Sequence, residues 1–196
     1  MIDYIKGQIV ELSPTDIVLE CAGIGYHALI SLQTFSALEG KKDIILYIHH
    51  IIREDEELFY GFSNKDEREL FRLLISVSGV GVATARMMLS SLTCDEIRKA
   101  IISEDVNKIK SVKGIGLKGA QRVVLELKDK VVKGEGAAET SVLFSSTDNG
   151  MIQEAVTALV MLGFTKANVS KVVKDITSKQ PDISLENLIK LSLKKL

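Results

Sequence analysis

The chain has 196 residues, 46% apolar and 26% charged, with 5% aromatic side chains and no Trp. That is an ordinary globular composition; it excludes a disordered or collagen-like chain and leaves the cores to Ile, Leu and Val. The net charge of −1 conceals a split: residues 1–62 hold 4 basic and 10 acidic side chains (net −6), residues 63–133 hold 14 and 9 (net +5), and residues 134–196 hold 7 and 7. Such asymmetry is a better guide to partners than the total.

No apolar run approaches the ~18 residues of a membrane span. Met1–Lys6 carries Asp3 and Lys6 where a signal peptide would have its apolar stretch. The two cysteines, Cys21 and Cys94, cannot form a disulfide framework, so the expected location is the reducing cytoplasm.

The first 62 residues read as β-structure. Ile2–Glu11, Ile17–Ala22, Tyr26–Leu32, Ile44–Ile52 and Leu58–Phe62 are short apolar runs. Turn residues separate them, at Ser13-Pro14-Thr15-Asp16, Gly23-Ile24-Gly25 and Glu39-Gly40-Lys41-Lys42. About five short strands in so short a segment suit a closed barrel of the OB-fold type. Arg53-Glu54-Asp55-Glu56-Glu57 joins the last two. Four consecutive carboxylates at a hairpin tip read first as a solvated turn. They read second as part of a metal-dependent nuclease site, which would need partners from another segment. They read third as a negative tip that repels DNA phosphates. His27, His49 and His50 lack metal-ligand spacing. Cys21 and Cys94 have no evident base and read as small apolar filler.

After Phe62 the period becomes helical. Ser63–Glu67 can cap a helix whose face includes Leu70, Phe71, Leu74 and Ile75, and Thr93 with Glu96 forms a capping box. Within this region lies a repeat. Val77-Ser78-Gly79-Val80-Gly81-Val82 returns 35 residues later as Val112-Lys113-Gly114-Ile115-Gly116-Leu117. Ala85 aligns with Ala120 and Leu92 with Leu127. A helix–Gly-apolar-Gly–helix unit allows a tight turn and unobstructed approach to the amides that open the second helix. Those amides sit at the positive end of its dipole, which makes a phosphate site that reads no base. Glycines also merely turn chains between core helices. Two copies flanked by Lys108, Lys110, Lys113, Lys118, Arg122, Lys128 and Lys130 favour binding of a nucleic-acid backbone. Gly114-Ile-Gly116-Leu-Lys-Gly119 matches the dinucleotide fingerprint but lacks its preceding strand and its acidic partner, and there is no P-loop motif.

Residues 134–150 are small and polar around Val142-Leu143-Phe144, the composition of a flexible linker. Residues 151–196 show three helical faces: Ile152, Ala155, Val156, Leu159 and Val160; then Val169, Val172, Val173 and Ile176; then Leu185, Leu188, Ile189 and Leu193. So small a unit has a meagre core.

Taken in order, these motifs resemble the RuvA family. The residues concerned are Arg53-Glu54-Asp55 with Leu58-Phe59-Tyr60-Gly61-Phe62, the two Gly-x-Gly hairpins, and Glu154-Ala155-Val156 running to Leu162-Gly163-Phe164. The order of the motifs is more specific than any one of them. The resemblance implies an α+β multidomain chain. Its parts are an OB-fold barrel (1–62), a tandem helix-hairpin-helix domain (63–133), a linker (134–150) and a small three-helix domain (151–196). It implies a non-catalytic, cofactor-free homotetramer, or double tetramer, that holds a four-way Holliday junction open and near planar. The hairpin residues Gly79, Val80, Gly81, Gly114, Ile115, Gly116, Lys118 and Arg122, with Arg53, would contact DNA. Glu54 and Asp55 would form an acidic pin at the crossover. Leu159, Leu162 and Phe164 would edge the surface for the hexameric ATPase RuvB, with Leu159 mostly core and Phe164 the better exposed. The resolvase RuvC would join the same junction. The alternative is a helix-hairpin-helix nuclease or glycosylase working through the acidic cluster. Many family members carry Pro-Lys after the first Gly-Val-Gly. Here Val82-Ala83 stands instead, so the first hairpin lacks that lysine.

Overall fold

The computed structural model of the chain describes residues 1–132, 148–180 and 183–196. Five strands, β1 (Tyr4–Leu12), β2 (Asp16–Cys21), β3 (Ile24–Ile30), β4 (Asp43–Ile52) and β5 (Glu57–Phe62), close a barrel in the order β1-β2-β3-β5-β4. All pairings are antiparallel except β3 with β5, which are parallel. The closure follows from period-two alternation: Ile44, Leu46 and Ile48 of β4 and Ile17 and Leu19 of β2 all point inward and are buried. Each expected strand is present. One element of the barrel had no counterpart in the sequence reading: α1 (Leu32–Leu38), capped by the Ser31 hydroxyl on the Thr34 amide.

The outer faces of β4 and β5 carry a second core. Phe71 of α2 (Lys65–Ile75) lies 5.3 Å from Tyr60, 5.0 Å from Phe62 and 5.4 Å from His49, centroid to centroid. His49 and His50 face opposite ways, as adjacent strand residues must. His50 lies instead on Phe59 and 2.7 Å from Glu57. Around Phe71 gather α3 (Val82–Ser91), α4 (Cys94–Ile102), α5 (Val106–Lys110) and α6 (Leu117–Val132), through Leu70, Leu74, Met88, Leu89, Ile97, Ile109 and Val123.

Polar staples join barrel to helix and helix to helix. Buried Arg68 donates to the Asp3 carboxylate at 2.6 Å and stacks over Tyr47, and Arg98 grips Asp66 through two bonds of 2.6 and 2.8 Å. Glu67, also buried, accepts from the hydroxyls of Ser31, Thr34 (2.7 Å) and Ser63 (3.4 Å). Burial pushes its carboxyl above the ordinary range, and those hydrogen bonds offset part of the rise.

The chain divides into two units, Met1–Ala138 and Glu139–Leu196. The second contains α7 (Asp148–Met161), α8 (Lys166–Lys179) and α9 (Leu185–Leu193) around Ala155, Leu159, Val169, Val173, Ile176 and Leu188. The expected linker lies outside the described residues as far as 147. Its last three residues belong to α7, so the helix starts earlier than its apolar pattern suggests.

Candidate nucleic-acid interface

The two repeats fold alike. Gly79 and Gly114 adopt φ of +89° and +93°, a left-handed conformation that disfavours residues with a Cβ. In each copy the apolar residue between the glycines donates back across the turn, Val80 to Val77 at 3.0 Å and Ile115 to Val112 at 3.2 Å. Val77, Val80, Val112 and Ile115 are buried, which anchors both turns to the core. The next helix then starts at once: Ala85 donates to Gly81 at 2.9 Å and Ala120 to Gly116 at 3.0 Å.

How these helices begin is informative. The amides of a helix's first turn have no intrahelical partner, and a side chain at the cap ordinarily takes one of them. In this unit α1, α2, α4 and α5 are capped by Ser31, Asn64, Thr93 and Asp105. The Thr93–Glu96 capping box is complete. By contrast α3 follows Gly81 with no side-chain cap and no acidic residue in its first turn. α6 opens directly after Gly116, again without an acid in its first turn. An added Cβ at Gly81 or Gly116 would meet nothing within 4 Å. Both turns thus present free N–H groups and open space, which suits an anion such as a phosphate.

The basic flank divides. Lys118, Lys113 and Lys110 are exposed and have no carboxylate partner among the described residues. Lys108 pairs with Glu96 at 3.2 Å, and Lys128 with Glu104. The Lys128–Glu104 contact holds the carboxyl below and the ammonium above their ordinary ranges. Arg122 is not placed on the second hairpin as its position in sequence suggests. Its Nη1 donates to the Ser78 carbonyl at 2.9 Å and lies 3.2 Å from the Ser78 hydroxyl, both on the first hairpin.

The acidic tip also divides. Arg53 and Glu56 clamp the turn through a backbone bond of 2.8 Å and a side-chain pair of 2.7 Å, and Glu57 lies 2.7 Å from His50. Arg53 is therefore committed to Glu56, which the sequence reading did not anticipate. Glu54 and Asp55 stand exposed at the apex with no partner among the described residues. Among those residues no three His, Cys, Asp or Glu side chains group as a metal ion would require. The Cys94 thiol is pushed up to about 12, first by burial and then by the neighbouring carboxylates, so it stays protonated.

In the second unit Leu159 is fully buried, as expected, and Leu162 is 61% exposed. Phe164 corrects the reading: it is half-buried against the three-helix core, because the turn after α7 folds its ring back inward. The exposed apolar residues beside Leu162 are Val160 and Met161, the latter 77% exposed and carrying no signal in the helical pattern.

Family models match along the chain: "RuvA N terminal domain" over residues 1–61, "SAM-like Helix-hairpin-helix tandem" over 71–129 and "RuvA, C-terminal domain" over 150–196. A protein of Christiangramia forsetii is 52% identical over 196 residues, with both chains covered completely. Proteins of Bacteroides thetaiotaomicron (50%) and Flavobacterium psychrophilum (46%) are likewise covered end to end. The chain belongs to the RuvA family. Each of these relatives bears the name "Holliday junction branch migration complex subunit RuvA". The barrel, the tandem hairpins and the small helical unit of this chain follow the RuvA architecture in the same order.

Proposed function

We propose that this chain binds four-way DNA junctions and serves a separate ATPase in branch migration, during recombination and repair, without catalysing a reaction itself. The observation that carries this reading is the pair of like hairpins. Each offers uncapped helix-opening amides beside open space, in a chain whose full-length relatives are named for the Holliday junction. Amides and lysines grip phosphates irrespective of sequence, so a structure common to all junctions, rather than a base pattern, is what such a protein reads.

A four-armed ligand calls for four copies, so the binding form is a homotetramer, with a second tetramer able to cover the opposite face of the junction. Each copy presents two hairpins to one arm. The unpaired Glu54 and Asp55 repel phosphates at the crossover and favour an open, near-planar junction. The second unit offers Val160, Met161 and Leu162 as a small apolar contact for RuvB. RuvC engages the same open junction, and the setting is the cytoplasm. None of these steps uses a cofactor.

Gel-shift comparison of a four-way junction with a duplex of equal length tests this reading. The expected result is strong preference for the junction and no cleavage with magnesium present. Equal affinity for both, or magnesium-dependent cutting that disappears in Glu54→Gln/Asp55→Asn, would support the nuclease alternative instead.

A further inference from the structure

The 35-residue offset that relates the hairpins pairs Ser78 with Lys113, Ala83 with Lys118 and Met87 with Arg122. At all three positions the second copy carries a cation and the first carries none. The cation within α3, Arg86, turns away to the Thr15 carbonyl on the barrel, at 3.3 Å. By its own sequence, then, the first hairpin has amides but no positive side chain beside its turn.

The fold supplies one. Arg122 leaves α6, the helix of the second hairpin, and lays its Nη1 on the carbonyl and hydroxyl of Ser78. The same nitrogen lies 3.7 Å from where a Cβ on Gly79 would be. Glu126, one turn on, approaches the Nε at 3.8 Å and steadies the other side of the group. The guanidinium remains half-exposed. A guanidinium has five donors in a plane, so the Ser78 contacts leave others for a phosphate. A lysine at position 78, as at 113, would put a like charge where Arg122 lands; the small Ser78 makes room.

We propose that Arg122 is the phosphate-binding cation of the first hairpin, delivered across from the helix of the second, and that Ser78 is its positioning residue. Lys113 and Lys118 serve the second hairpin. The tandem thereby works as one clamp, in which the hairpin lacking its own cations borrows one from its twin. This rests on the phosphate-grip reading above.

A pairwise cycle in the full-length protein tests it by junction gel shift. Gly81→Ala and Gly116→Ala each plant a methyl in the open approach to one hairpin without meeting the fold. Arg122→Ala removes a charged hydrogen-bond donor and should weaken junction binding about ten-fold. It should add little once Gly81→Ala is present and act in full beside Gly116→Ala, while Lys118→Ala should show the reverse pattern. Coupling of Arg122 to Gly116, or independence from both glycines, overturns the assignment. If neither glycine variant weakens binding, the phosphate-grip reading itself fails, a distinct outcome. Should Arg122→Ala lose its fold by circular dichroism, Arg122→Lys is run through the same cycle. It keeps the charge but not the planar fork of donors, and the same coupling pattern decides.

Discussion

Glu67→Ala is the sharpest perturbation of the first unit. The carboxylate accepts from Ser31 and Thr34, both buried, and from Ser63. Each of the two buried hydroxyls has a second duty: Ser31 accepts from the Thr34 amide at 3.0 Å and Thr34 from the Ser63 amide at 3.1 Å. Neither can turn away to find a new acceptor without giving up that bond. Truncation therefore orphans two buried donors, at about 1–3 kcal/mol each. The total, about 2–6 kcal/mol, is a large part of a typical domain's stability of about 5–15 kcal/mol. Glu67→Gln removes the titrating group and keeps one acceptor oxygen where Ser31 and Thr34 use two, so it should cost less than Glu67→Ala, about 1–3 kcal/mol for the one hydroxyl left unpaired. The pH dependence separates the two effects. The folded carboxyl titrates above its unfolded value, so its contribution is fully present below pH 4.5 and is lost as pH rises through the folded value. The difference in stability between wild type and Glu67→Gln should move in that direction. Urea unfolding at several pH values measures it. A loss below 1 kcal/mol for Glu67→Ala, or a wild-type-minus-Gln difference that does not change with pH, refutes the reasoning.

Other outcomes follow from the same structure. Glu54→Gln with Asp55→Asn should leave junction binding equal or a few-fold tighter, since one carboxylate–phosphate pair about 8 Å apart in water costs roughly 0.5 kcal/mol before screening. Preference for junction over duplex should fall, as read by gel shift. Lys118→Ala, an exposed change, should leave the melting temperature alone and flatten the salt dependence of binding by about 0.9 in the log–log slope per phosphate released. Leu162→Asp should leave the second unit folded yet abolish stimulation of RuvB ATPase on junction DNA. Phe164→Ala should instead melt that unit, because a half-buried ring in so small a core accounts for about 2–3 kcal/mol; circular dichroism distinguishes the two.

Much of this fold is legible in the chain because its signals are local. Short apolar runs bounded by turn residues mark the barrel strands, and Thr93 with Glu96 marks a helix start four residues before Ile97, the first buried apolar residue of that helix. The hairpins were visible because a Gly-x-Gly pair recurs at a fixed interval. α1 was not, since seven residues give too little period and only Thr34 and Leu38 are buried. The site was read less completely, because its decisive contacts span long separations. Arg122 meets Ser78 across 44 residues, and nothing within one helix reveals which turn a long side chain reaches. The resemblance singles out Glu54 and Asp55 at the tip, but that Arg53 pairs with Glu56 and that Glu57 lies against His50 shows only in the folded contacts. Phe164 reads as the exposed one because so small a unit has few apolar residues to share; whether its ring turns outward or back depends on tertiary packing.

The most direct test of the central claim is the salt dependence of junction affinity with arms of unrelated sequences. Two hairpins in each of four copies, taking at least one phosphate apiece, neutralise about eight phosphates and predict a log–log slope of about −7. The affinity should be the same for every set of arms. A slope near −1, or affinity that follows the base sequence, would contradict a grip built from hairpin amides and the cations beside them.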